Sequence, residues 1–269
     1  MSVWPRTAVA AERWWQNLVL TARFVVTAAA AAAAIVGALI NSELVEWSYW
    51  WVLAPAVIAA VGVSVDTLTA AVRKRRAPRK QETLDAIRQA SASAIKEIRD
   101  HTSLPLEAVG ACVWEVRSYR PLLWRPRLRR VIRFRIDTYP SPSPVDWIEG
   151  KGTIGECWLS KAPKHRHVKP IADRWCIDGA ISDRDWARIP SKTKAGMSRQ
   201  DFQELVGKYA EVLATPIKDQ RSGALLGVLS IDLPYDAAPE DGHPRLNSKV
   251  VKAKAGASAS VVSHLLKQA

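Results

Sequence analysis

Phenylalanine, cysteine and acidic side chains are all scarce in this 269-residue chain. Only three residues are Phe while twelve are Trp, and six of those Trp fall within the first 51 residues, so the two ends differ in kind. The three cysteines, Cys112, Cys157 and Cys176, are too few and too odd in number for a disulfide framework. That excludes a stapled secreted scaffold and fits a reducing compartment. Acidic residues number 26 against 39 Lys and Arg, giving a net charge of +13 and a pI near 9.9. Such an excess points to nucleic acid, anionic lipid or an acidic ligand, and the placement of the cations decides among them.

Charge is rarest near the start. Residues 18–40 carry only Arg23 and contain seven consecutive alanines from Ala28 to Ala34. About 20 apolar residues cross the ~30 Å hydrocarbon layer, and an Arg near one end snorkels to the interface. A second apolar run, residues 52–65, follows a connection holding Glu43, Glu46 and the aromatic group Trp47, Tyr49, Trp50 and Trp51. The stretch from Arg73 to Lys80 is then strongly basic. By the positive-inside rule, residues 1–72 read as a transmembrane helical hairpin in a bacterial inner membrane, with both termini cytoplasmic and the acidic loop outside. A cleaved signal peptide fits less well, because the first run is long and a second follows directly. The rows Ala29/Ala33/Gly37 and Ala56/Ala60/Ser64 either let two helices approach closely or simply reflect alanine-rich composition. Neither run holds a carboxylate or His, which argues against a proton relay or ion-coupled transporter. The basic run abuts the bilayer, where Lys and Arg meet anionic headgroups at about 1 kcal/mol each. Lipid is therefore the expected partner there, and nucleic acid is not.

Residues 73–103 read as a basic juxtamembrane segment and a linker helix that Pro105 ends. Leu84, Ile87, Ser91, Ala94 and Ile98 approximate a heptad. Two readings stay open: a coiled coil that joins copies into a homodimer or higher homo-oligomer, or the first helix of the next domain packed on its own sheet. Residues 110–117 and 131–137 read as strands, with Pro121 and Pro126 barring a regular helix between them. Residues 162–194 read as a long, polar, irregular stretch, after which Ser198 caps a helix carrying Phe202, Leu205 and Val206. Residues 212–217 and 225–233 form a hairpin across the turn Asp219 to Gly223, with Pro216 near a strand end. Leu225, Gly227, Leu229, Ile231 and Leu233 share one face; Leu226, Val228, Ser230 and Asp232 share the other. From His243 onward a last helix carries Val251, Ala255, Val262 and Leu265.

The hairpin wording, T-P-I-K-D-x-x-S-G-x-L-L-G-V-L-S-I-D from Thr215 to Asp232, resembles the closing strands of a GAF domain. Upstream, the run Gly150-Lys151-Gly152-Thr153-Ile154-Gly155-Glu156-Cys157-Trp158, with Ala162-Pro163 after it, resembles that family's glycine-rich helix start. The two matches occur in the family's order and together cover residues 104–269. The resemblance implies an α+β domain: a central antiparallel sheet flanked by helices, with a small-molecule pocket on one side. Members that bind cyclic nucleotides often carry an Asn-Lys…Phe…Asp-Glu signature. Around Phe202 this chain has Asp201, Gln203 and Glu204 with no Asn-Lys pair before them, which disfavours cyclic GMP and cyclic AMP though not every nucleotide.

If the strands adjoin as the resemblance implies, Arg117, Arg133 and Arg135 gather on one face with Ser230 and Asp232. That face is either a solvated one laced with cross-strand ion pairs or a pocket floor where guanidinium forks meet a phosphate or carboxylate. Trp158 and Trp175 complete the candidate ligand-binding set. Cys157, His165, His167 and Cys176 have C-x7-H-x-H-x8-C spacing, wider than structural zinc sites use. A helix start would lower the Cys157 thiol pKa, and one GAF family reduces free methionine sulfoxide with cysteines. The cysteine pattern here does not visibly match it, and buried structural thiols are the plainer reading. No catalytic residue, metal or cofactor is expected. The leading expectation is a membrane-anchored cytoplasmic sensor of an anionic, nucleotide-like ligand that signals to the hairpin. Its layout resembles bacterial defence effectors that perturb the membrane when a nucleotide messenger binds. The alternatives are a tethered adaptor that binds a partner protein and, third, a cysteine-based redox enzyme. No kinase, cyclase, phosphodiesterase or DNA-binding pattern follows the sensor, so its output is expected on the hairpin or on another protein.

Overall fold

The computed structural model describes Ala34, Pro78 and residues 80–117, 126–175 and 181–267. The chain divides into two units, Met1–Arg79 and Lys80–Ala269. The hairpin expected over residues 1–72 (Ala34 apart) and Cys176 lie outside the described residues. Among the described residues, no helix is long and apolar enough to cross a membrane.

The second unit is α+β. Residues 80–102 form α1. There follow β1 (Gly110–Arg117), β2 (Arg127–Phe134), α2 (Gly152–Ser160), β3 (Lys164–His167), α3 (Lys169–Trp175), α4 (Asp183–Arg188), α5 (Ser191–Lys194), α6 (Arg199–Leu205), β4 (Tyr209–Lys218), β5 (Leu225–Pro234) and α7 (Lys249–Leu266). The strands make one antiparallel sheet in the order β2-β1-β5-β4-β3.

Period-two alternation divides the sheet into two faces. On the first, Ala111, Val113, Leu229, Ile231 and Leu233 pack with Val251, Ala255, Ala259 and Val262 of α7. Ile87, Ile95 and Ile98 of α1 belong to the same core and are at most 1% exposed. The positions that sketch a heptad in α1 are thus consumed by the domain's own core: Ile87, Ser91, Ala94 and Ile98 are all buried within this chain. That burial is what the first-helix reading expects of this stripe. On the second face, Cys112, Trp114, Ala214 and Val228 pack with Ile154, Cys157 and Trp158 of α2. A third cluster joins Phe202 and Val206 to Val168, Ala172, Ile181 and Ile189.

Several expected boundaries move. Strand β2 ends at Phe134 rather than Asp137 and begins at Arg127, because an edge strand tolerates arginines that point to solvent. The stretch 162–194 holds β3, α3, α4 and α5, each of four to seven residues and so too short to show a period. Helix α7 opens at Lys249, after Ser248 accepts a hydrogen bond from the Val251 N–H, and not at His243. Pro216 lies inside β4, opposite Val228. Strand β3 pairs with β4 only as far as Ala214, so the missing N–H of Pro216 interrupts no ladder there. Leu225 packs on the second face and Leu226 on the first, the reverse of strict alternation. The cause is a register shift in the β4–β5 pairing between Ile217 and Lys218.

Two glycines are fixed by contact. A Cβ on Gly227 would lie 2.0 Å from the Trp114 carbonyl oxygen, so β1 and β5 could not pair there. A Cβ on Gly155 would lie 2.3 Å from the Ile148 carbonyl oxygen, which holds α2 against the loop before it. The capping box of α6 is complete. Ser198 Oγ accepts from the Asp201 N–H at 3.1 Å, and the Asp201 carboxylate accepts from the Ser198 N–H at 3.3 Å. Ser198→Ala is expected to cost about 1 kcal/mol, read as a fall of about 2–4 °C in Tm for a domain this size. No change in Tm would mean the box is idle.

Candidate functional site

The second sheet face carries a cavity of about 70 Å³. Its floor comes from Cys112 and Trp114 of β1, Arg130 and Arg133 of β2, and Ser230 and Asp232 of β5. Its walls come from Trp147, Ile154 of α2, Arg166 of β3, and Phe202 and Leu205 of α6.

A bulge in β2 builds the cationic part of the floor. Cys112 pairs with Arg133 and Val113 with Ile132, but Trp114 then pairs with Arg130. Val131 is the extra residue, so arginines three positions apart face the same way instead of opposite ways. The Arg130 guanidinium stands 5.4 Å from the Trp114 ring centroid. Trp114 meets Trp147 edge-on at 6.0 Å, and its Nε1 donates to Ser230 Oγ at 3.0 Å. Arg133 donates to the Pro140 carbonyl oxygen. Arg166 is occupied: it donates to Glu156 Oε1 and to the Thr193 carbonyl, each at 2.9 Å. The indole N–H of Trp147 is buried without a partner among the described residues.

Not all the expected site residues meet. Arg133, Ser230 and Asp232 line the cavity. Arg135 sits just past the end of β2 and is ion-paired with Asp232, its side chain 2% exposed. It also donates to the Ala108 carbonyl oxygen at 3.3 Å, and burial draws its pKa below the usual arginine value. Asp232 is therefore neutralised by a residue outside the cavity. Arg117 shares its parity with Val113, on the opposite face, and pairs with Glu115 at 2.8 Å near solvent. Trp158 is buried among the apolar residues around α2, and Trp175 packs half-buried beside the Phe202 cluster; neither lines the cavity.

The two described thiols are held neutral. Burial pushes Cys112 up, against the pull of Arg130, Arg133 and Arg135. Cys157 is the sixth residue of α2 rather than its start, and burial pushes it up to about 12. The expectation of a thiolate activated by a helix start fails at that position, because its thiol is fully buried in apolar surroundings. Tyr209, also on the cavity wall, is raised by burial. His165 Nε2 lies 2.9 Å from Glu211 Oε2, and among the described residues no three metal-ligating side chains come together.

No family model matches this chain, and no curated protein matches it. Solved structures with a similar chain course include a type II free methionine-R-sulfoxide reductase from Thermoplasma acidophilum, 11% identical, with a TM-score of 0.40. That match covers 68% of this chain and 94% of the reductase. A domain of a transcriptional regulator assigned to the IclR family is 16% identical with a TM-score of 0.34, covering 67% of this chain and 96% of that one. The chromophore-binding domain of a bacteriophytochrome from R. palustris is 12% identical with a TM-score of 0.37, covering 71% and 61% respectively. Likeness this distant assigns no ligand and no activity to this chain.

Proposed function

We propose that this chain is a membrane-tethered sensor whose GAF-like domain binds a small organic anion in the cavity over Arg133. The carrying observation is an aromatic-walled cavity with Arg130 and Arg133 on its floor, neither of which meets a carboxylate among the described residues. Guanidinium forks pair bidentately with carboxylate or phosphate, and Trp114, Trp147 and Phe202 supply apolar contact for the rest of the ligand. Size narrows the class. At about 70 Å³ the cavity is far below the roughly 300–1,000 Å³ that hold drug-sized ligands. An anion of few heavy atoms fits this conformation; a nucleotide needs the cavity to open. Tethering is supported by the two apolar runs and the basic stretch beside the second.

The test uses the full chain, because a fragment starting at residue 104 would remove Ile87, Ile95 and Ile98 from the core. Thermal unfolding is followed against a panel of short carboxylic acids, phosphate esters and nucleotides. A binder present at 100 times its dissociation constant adds about 2.7 kcal/mol. Arg133→Gln is expected to erase that shift while leaving unliganded stability within about 1 kcal/mol, since Arg133 is half-buried and, among the described residues, its guanidinium donates to a loop carbonyl and meets no carboxylate. If no anion shifts Tm, the anion-site reading falls and the partner-protein alternative is favoured.

A further inference from the structure

We infer that the cavity selects a compact dianion, with one anionic group held by Arg133 and the second by Arg130. This rests on the reading of the cavity as an anion site and adds the ligand's charge and the residue that reads it. Among the described residues, four ionised side chains line the cavity: Arg130, Arg133, Arg166 and Asp232. Arg166 is neutralised by Glu156, and Asp232 by Arg135. The remaining balance is two positive charges, on Arg130 and Arg133. Both residues are half-buried, where unpaired charge is costly and a bound counter-charge is correspondingly favoured.

The spacing comes from the sheet. Arg130 and Arg133 lie opposite Trp114 and Cys112, positions two apart on β1 and so roughly 7 Å along the strand. That separation suits two anionic groups joined by a short linker better than two forks converging on one carboxylate. Arg130 is preorganised by its stacking on Trp114, which is itself fixed by the hydrogen bond to Ser230. Without the bulge at Val131, position 130 would face the opposite side of the sheet and only Arg133 would remain.

The experiment compares matched ligands on the full chain by thermal shift. Succinate and sulfoacetate are the dianions, each with two anionic groups on a short linker, distinguishing a second carboxylate from a tetrahedral oxyanion, and butyrate is the monoanion of similar size. The expected result is that one or both dianions half-saturate at a concentration at least tenfold below butyrate. Arg130→Gln should remove that advantage, so that the dianions half-saturate no lower than butyrate does on the same variant. Arg133→Gln should abolish binding of all three. Equal binding of dianions and butyrate, or an advantage that survives Arg130→Gln, overturns the dianion inference and leaves the anion site standing. Absence of any shift with all three overturns the anion site itself.

Discussion

Replacing Arg135 by alanine is expected to destabilise the domain by about 3–5 kcal/mol. The guanidinium is 2% exposed and its partner Asp232 is 11% exposed. Removing the cation leaves the Asp232 carboxylate in the cavity lining without an ion-pair partner among the described residues, since Arg130 and Arg133 line the same cavity but form no ion pair with it, and much of its desolvation cost is then uncompensated. Asp232 is paired through its backbone to Gly110 of β1 and Val212 of β4, so it sits where three strands meet and cannot swing out to water. Asp232→Ala should cost a similar amount from the other side. The double variant Arg135→Met with Asp232→Leu should cost clearly less than the sum, because neither charge is then left alone. Urea unfolding at pH 7 measures all three. Arg133→Gln provides the contrast, with a cost below about 1 kcal/mol at a position two residues earlier in the chain. If Arg135→Ala proves as mild as Arg133→Gln, the ion pair is not a structural element of the sheet.

That contrast shows where the sequence is legible and where it is not. Strand β1 is found at its own boundaries, and the β4–β5 hairpin is found within a few residues, because each carries a run of apolar and β-favouring residues, as suits strands buried on both faces. The capping box at Ser198 is equally readable, since its chemistry is local. The site is less so. Arg133 and Arg135 share parity in the sequence, yet one lines the cavity and the other is spent on Asp232, because β2 stops at Phe134 and the chain turns away from strand geometry. Arg130 has the wrong parity in the sequence and reaches the cavity only through the bulge at Val131. A bulge is set by cross-strand packing, here around Trp114, and leaves no mark in the local wording of R-R-V-I-R. Trp114 has the opposite parity to Arg117, the strand's expected site residue, and is not among the expected set, yet it lies on the cavity floor beside Arg130. Phe202 and Trp147 come from elements far apart in sequence, and nothing local announces that they converge.

Glu211→Ala is expected to cost roughly 2–5 kcal/mol, and the cost should depend on pH in a defined direction. The Glu211 side chain is 1% exposed and accepts three hydrogen bonds: from the Arg245 N–H at 2.7 Å, the Leu246 N–H at 2.9 Å and His165 Nε2 at 2.9 Å. It thereby ties the segment before α7 to β4 and seats Leu246, which is fully buried in the main core. Truncation strands the two backbone donors, each at about 1–3 kcal/mol if left unpaired. Burial alone would push the Glu211 carboxyl up, but the bonds from His165, Arg245 and Leu246 together outweigh it and hold it below the usual Glu value of 4.5. A carboxyl whose pKa is lowered by folding stabilises the folded state fully above its unfolded value and loses that contribution as pH falls through the folded one. The stability gap between the unmodified chain and Glu211→Gln should therefore stay constant from pH 7 to about pH 5 and narrow steadily below about 4.5. Taking the difference between the two chains cancels the other acids, such as Asp201, whose carboxyl is also held low, with Lys151 and Ser198 outweighing the opposing effect of burial. Thermal melts of both chains at half-unit steps from pH 7 to pH 3 give the curve directly. A gap as wide at pH 3 as at pH 7 would show that folding does not lower the Glu211 pKa, and a gap that widened on acidification would show that burial outweighs the three hydrogen bonds.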